Sequence, residues 1–306
     1  MLKAVTSIFV ALTILAVVLI GGSFYMLQYS LGSNPDRLNT DKAYKELFAD
    51  YPETVAWMDS LHRIQALHDT VLTMPQGYRC HAYYIMTGSN RTALVIHGWR
   101  DVPIKYFYLA RIYEREFGYN VIIPDVYGHG QSDGDMVRMG WLDRLDILRW
   151  MEAFKTDTMA VHGVSMGGAT TMMLSGEKMP SGIRDVRFID DCGYTSVWDE
   201  FAGELKKQFG LPEFPLMYST SLLCRLMCGW SFEEASSLEQ VKKCRYPMLF
   251  IHGDSDTFVP TEMVYRLFSA KSGTKELWIT KNTDHAHSYK NHREEYIHRL
   301  KKFLRP

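Results

Sequence analysis

Beyond Gly98, five short apolar runs at residues 121–123, 159–161, 186–189, 248–251 and 277–279 alternate with stretches of helical spacing such as 106–117 and 141–154. Strand candidates separated by helices cannot pair as hairpins. Each connection crosses over, so neighbouring strands run parallel and the helices cover both faces of the sheet. The pattern predicts an α/β protein with a mostly parallel central sheet and helices on both faces. Earlier runs at 70–73, 79–85 and 93–96, with turns at Pro75-Gln76-Gly77 and Gly88-Ser89-Asn90, predict a meander feeding a buried strand. Tyr296, Ile297, Leu300 and Phe303 recur at helical spacing in a closing helix over 289–304.

One interval breaks the rhythm. About sixty residues separate the runs ending near Asp190 and beginning near Met248, more than a single crossover helix needs. The excess, about 195–243, is rich in large apolar residues such as Trp198, Phe201, Phe214, Leu222 and Trp230, and is expected to form a helical cap. Those residues either line an acyl pocket or simply seat the cap on the domain.

The first 35 residues differ from the rest. No charged residue occurs at 4–35, and 5–27 are mostly Val, Ile, Leu, Ala, Phe and Met, enough for a helix across a ~30 Å hydrocarbon layer. A cleaved secretory signal would use Lys3 as its positive region and Gly21-Gly22-Ser23 as its cutting site. Because apolar character resumes at Phe24-Tyr25-Met26-Leu27, a retained single-pass N-terminal membrane anchor is the expectation, with the large domain on the extracytoplasmic side; cleavage would make the protein secreted. The expected organisation is a membrane segment at 1–35, a helical linker at 36–68 with Trp57, Leu61 and Ile64 on one face, and a catalytic domain at 69–306.

Composition narrows the partners. The chain of 306 residues is 46% hydrophobic with a formal net charge of -1, and its charges are interspersed, so no basic field for nucleic acid forms. Five cysteines, Cys80, Cys192, Cys224, Cys228 and Cys244, are an odd number at irregular spacing and do not make a disulfide framework. Neither they nor His285 and His287 offer a full ligand pattern, so no metal and no cofactor is expected.

The chemistry gathers around Gly163-Val164-Ser165-Met166-Gly167, which follows an apolar run and precedes a helix-compatible segment. A serine on a sharp strand-to-helix turn stands exposed, and small residues two before and two after it let neighbouring chain pass close. A hydroxyl becomes a nucleophile only beside a base that a carboxylate orients. Asp256, with Asp254 as its rival, lies in Gly253-Asp254-Ser255-Asp256 after one apolar run; His285, with His287 as its rival, lies in Thr283-Asp284-His285-Ala286-His287 after the next. Asp190 and Asp191 are further acids, explained by capping. For an oxyanion, the backbone N–H groups of Met166 and Trp99, the latter in His97-Gly98-Trp99, are the candidate donors.

The order His97-Gly98-Trp99, Gly128-His129-Gly130-Gln131-Ser132, Gly163-Val164-Ser165-Met166-Gly167-Gly168, Gly253-Asp254-Ser255-Asp256 with Val259-Pro260, then His285, resembles the α/β-hydrolase superfamily. Within it, the serine esterase, monoacylglycerol lipase and serine aminopeptidase-like branch is the most similar, over about residues 69–304. The resemblance implies Ser165 as nucleophile, Asp256 as acid and His285 as base. It implies a serine hydrolase acting on a small-molecule or lipid-like ester. A peptidase, thioesterase or acyltransferase on the same fold, or a binding protein without catalysis, are the alternatives.

Overall fold

The apolar runs become the middle of one eight-stranded sheet in the computed structural model, which describes residues 2–305. The strands are β1 (Leu67–Thr73), β2 (Arg79–Ile85), β3 (Arg91–Ile96), β4 (Asn120–Pro124), β5 (Thr158–Val164), β6 (Asp185–Asp191), β7 (Met248–Gly253) and β8 (Lys275–Thr280). Their order is β1-β2-β4-β3-β5-β6-β7-β8. The β1–β2 and β2–β4 pairs are antiparallel, and all later pairs are parallel. The sheet is thus mostly parallel, with the meander at its edge.

Alternation along the strands divides the interior in two. In β3, Leu94 and Ile96 join one core while Ala93 and Val95 join the other. Helices α1 (Leu2–Leu31), α2 (Thr40–Asp50) and α3 (Glu53–Arg63) come before the sheet. The second core takes Leu47 of α2, Trp57 and Leu61 of α3, and residues of α4 (Phe107–Arg111). The first core takes Trp150 of α5 (Asp143–Ala153) and Met172 of α6 (Met166–Ser175).

The segment read as a linker therefore lies against the domain. Tyr51, between α2 and α3, stacks on Tyr108 at a ring-centroid distance of 4.2 Å, and the Trp57 Nε1 donates to Glu114 at 3.0 Å. Ile64, expected on one face with Trp57 and Leu61, is exposed while those two are buried, because α3 ends at Arg63 and the chain turns away.

Between β6 and β7 the excess chain folds as α7 (Val197–Glu204), α8 (Leu216–Cys228) and α9 (Ser237–Val241). An isolated bridge between Ser196 and Ser236 closes the base of this insertion. The chain then supplies α10 (Glu262–Ala270) between β7 and β8. The closing helix is in two pieces, α11 (Ser288–Asn291) and α12 (Arg293–Phe303), broken at His292, whose Nε2 contacts the Lys281 carbonyl and the Thr283 hydroxyl.

Helix α1 is long and apolar enough to cross a membrane over Lys3–Leu31, with mean hydropathy 2.6. Its two ends differ: side chains such as Val5, Leu12 and Val18 are exposed, whereas Ser23, Leu27 and Leu31 are buried. The buried end packs along α8, where Ser23 donates to Ser219 Oγ at 2.7 Å and Gly22 lies close to Leu216.

Candidate active site

The carboxyl ends of β3, β5, β6, β7 and β8 share one edge of the sheet, where loops can converge. Ile96 of β3 pairs with Gly163, and Val164 pairs with Asp191 of β6, so the β5 exit is flanked on both sides. There the chain reverses into α6 at Ser165, with φ 58 and ψ -119. A non-glycine residue in that region is strained by roughly 1–3 kcal/mol, tolerated only where surroundings hold it. Its N–H donates to the Asp191 carbonyl at 2.8 Å.

Close approach accounts for the glycines. A Cβ on Gly163 would come within 1.9 Å of the Gly167 carbonyl oxygen, and one on Gly167 within 2.0 Å of the Ile96 oxygen. Gly98 lies against the turn as well, since a Cβ there would stand 3.6 Å from Ser165 Cβ and 2.8 Å from the Tyr106 hydroxyl.

His285 bridges the other two groups: its Nε2 is 2.8 Å from Ser165 Oγ and its Nδ1 is 2.7 Å from Asp256 Oδ2. The Asp256 side chain is wholly buried, and its Oδ1 accepts the N–H groups of Phe258 and Val259, both at 2.9 Å. Burial alone would raise this carboxyl, but His252 and His285 outweigh it and hold the pKa down to about 2. It is a carboxylate at any working pH.

The rivals lie elsewhere. Asp254 is exposed and accepts from Ser255 at 3.0 Å. His287 pairs with Asp284 at 2.5 Å on the surface. Asp190 accepts the Gly193 N–H, and Asp191 accepts the Tyr296 hydroxyl at 2.7 Å. Burial pushes Asp190 up to about 7 and Asp191 up to about 6, and His285 hydrogen-bonds Asp256 and Ser165 rather than either of them.

The backbone N–H groups of Trp99 and Met166 have no acceptor among the described residues, and both residues line the cavity at Ser165. Neighbouring histidines hold that loop. His129 Nε2 accepts the Arg100 N–H at 3.0 Å, and His97 Nε2 accepts the Val126 N–H at 3.1 Å. Burial keeps His129 well below the usual histidine range, hence a neutral acceptor. These two roles had a trace in the sequence, in the His97-Gly98 and Gly128-His129-Gly130 motifs.

Three groups escaped the sequence reading. His252, at the end of β7, has its Nε2 3.3 Å from Asp256 Oδ2 and 2.9 Å from the Val259 carbonyl, a second imidazole on the same carboxylate. Glu200 lines the cavity with one buried oxygen lacking a partner. Burial pushes it up to about 8, with Glu204 adding to the shift, so it is protonated at neutral pH. Cys192 lies beside the triplet, with ligand atoms of Cys192, Asp256 and His285 all within 4.8 Å of one another. Burial drives its thiol well above the ordinary range. All five cysteines are free.

A mostly parallel sheet with a serine at the central strand-to-helix turn, and an acid and a histidine on later strand-end loops, defines the α/β-hydrolase fold. Residues 94–211 match the family model described as alpha/beta hydrolase fold. YqkD of Bacillus subtilis (strain 168), an uncharacterized protein, is 28% identical over 263 residues, covering 82% of this chain and 84% of its own. The Pyrococcus furiosus esterase Pf2001 superposes with a TM-score of 0.61 at 22% identity, over 78% of this chain and 91% of its own. A bacterial membrane phospholipase A superposes with a TM-score of 0.55 at 15% identity, over 84% of this chain and 92% of its own. The chain has the α/β-hydrolase fold.

Proposed function

We propose that the protein is a membrane-anchored serine hydrolase that cleaves carboxylic esters through an acyl-enzyme. The observation that carries this reading is the unbroken run from Ser165 Oγ to His285 Nε2 and from His285 Nδ1 to Asp256. Ser165 attacks the ester carbonyl as His285 takes its proton, and Asp256 stabilises the imidazolium so formed. The N–H groups of Met166 and Trp99 hold the developing oxyanion. His285 returns the proton to the leaving alcohol, leaving an acyl group on Ser165 Oγ. Water, deprotonated by His285, attacks that acyl carbonyl, releases the acid and restores the serine.

His252 contacts the same Asp256 oxygen as His285 and is read as a positioning residue. The likeness in fold to an esterase and to a membrane phospholipase A is in keeping with an ester substrate. Helix α1 is read as a retained single-pass anchor with the domain on the extracytoplasmic side. Its small triplet is engaged with the domain, as Ser23 is buried against Ser219.

Labelling by a fluorophosphonate probe tests the chemistry. Wild type and His287→Ala are expected to label, Ser165→Ala not at all, and His285→Ala far more slowly. Equal labelling of wild type and Ser165→Ala would exclude Ser165 as the nucleophile.

A further inference from the structure

The cavity at Ser165 does not stop at the cap. It has a volume of about 130 Å³, and its wall includes Trp99, Met139 and Phe258. A second, narrower recess of about 40 Å³ lies between the cap and α1. The two share Tyr29, Ser30, Phe201, Glu204 and Gln208, so they adjoin along the face of α1.

The chemistry of the second chamber is apolar. Met26, Leu205, Phe209, Leu216, Met217 and Phe232 supply most of its surface. Its polar side chains spend their hydrogen bonds on the protein. The Tyr29 hydroxyl donates to Gln208 Oε1 at 2.5 Å, and Gln208 Nε2 donates to Glu204. The Ser30 and Thr220 hydroxyls donate to the Met26 and Leu216 carbonyls, both at 2.7 Å. A hydrocarbon entering here therefore meets an apolar surface.

Two further features give the chamber a direction. Leu216 sits against Gly22, where the exposed apolar part of α1 begins, and the cap residues Leu211 and Phe214 just before it are exposed. The chamber therefore adjoins the stretch of α1 apolar enough to lie in a bilayer. On the reading of Ser165 as an ester-cleaving nucleophile, we infer that α1 and the cap together form the acyl-chain subsite, and that its occupant is the long hydrocarbon chain of a membrane lipid ester. The N-terminal helix is thereby a wall of the substrate site as well as a tether.

The test uses the full chain in detergent with 4-nitrophenyl butyrate and 4-nitrophenyl palmitate as probes. Met26→Trp fills the chamber from the α1 side. The ratio of kcat/KM for palmitate over butyrate is expected to fall at least about tenfold, the scale set by excluding methylenes from an apolar pocket. Thr220→Leu, a smaller intrusion from the cap side, moves the ratio in the same direction and serves should the tryptophan not fold. An unchanged ratio in both variants overturns the subsite while leaving the hydrolase reading intact. A wild-type protein that cleaves neither ester and takes no fluorophosphonate at Ser165 removes both.

Discussion

The indole Nε1 of Trp99 donates a 3.0 Å hydrogen bond to the carbonyl oxygen of Ser30, joining the last turn of α1 to the loop that lies against Ser165. The final carbonyls of a helix lack intrahelical donors. Here Arg100 supplies two more, to Gly32 at 2.8 Å and Tyr29 at 2.9 Å, while its guanidinium covers the Trp99 ring at 4.5 Å. The end of α1 and the candidate oxyanion loop thus fix one another.

Trp99→Phe keeps a ring under Arg100 and removes only the donor. The Ser30 carbonyl then loses a partner, at a cost of about 1 kcal/mol in stability. If the loop must be held for the Trp99 N–H to serve an oxyanion, kcat falls by roughly 3- to 10-fold while KM changes little. Thermal unfolding and steady-state kinetics on one ester measure both; a KM effect alone would argue against the loop's part in the oxyanion.

Shortening the N-terminus separates tether from wall. Deleting residues 1–18 removes, among the described residues, exposed helix only and is expected to leave the melting temperature in detergent near that of the full chain. Deleting residues 1–34 also removes buried Leu27 and Leu31, each contributing roughly 1.5–3 kcal/mol, together with the acceptors of Trp99 and Arg100. That protein should melt clearly lower, and equal melting of the two truncations would show that the end of α1 is dispensable.

The glycines around Ser165 give a paired prediction. Gly163→Ala and Gly167→Ala press a methyl into backbone oxygens at 1.9 and 2.0 Å, which side-chain adjustment cannot relieve. Each should destabilise by more than about 4 kcal/mol or yield no folded protein. Gly203→Ala, on α7 with nothing within 4 Å, should instead stabilise by about 0.5–1 kcal/mol through helix propensity. Urea denaturation of the three variants decides the matter.

Glu200 makes stability depend on pH. Its folded pKa, about 8, lies above the ordinary glutamate value of 4.5, chiefly through burial. The folded state therefore holds this proton more tightly than the unfolded chain. The contribution is fully present below about pH 4.5 and is lost as pH rises through 8. Glu200→Gln, neutral throughout, should flatten the fall in melting temperature between pH 5 and 9, with a gain at pH 9 on the order of 5 kcal/mol. Parallel melting curves for wild type and variant across that range would mean Glu200 ionises freely.

Much of the architecture was legible because it rests on local pattern. Apolar runs alternating with helical spacing require crossovers, and crossovers require a mostly parallel sheet, which is what β3 to β8 form. The Ser165 turn was legible for the same reason, since its glycines are needed within four residues of one another and of the strand end. Likewise, Asp256 and His285 sit on loops that directly follow β7 and β8.

What the sequence could not decide are contacts between segments far apart in the chain. Asp254 and Asp256 are the same residue type two positions apart, and only the curl of the loop turns Asp256 inward to His285 while Asp254 stays outside. His252 simply follows an apolar run and Glu200 falls within the expected cap; the imidazole's contact with Asp256 and the carboxyl's burial exist only once β7 and α7 are packed. The apolar N-terminus determined by itself that a long helix would form and that it could cross a membrane. That its last turns are buried against α8, capped by Trp99 and Arg100 and built into the wall of the Ser165 cavity was decided by tertiary packing alone, because hydropathy records how greasy a helix is and not which surface it will meet.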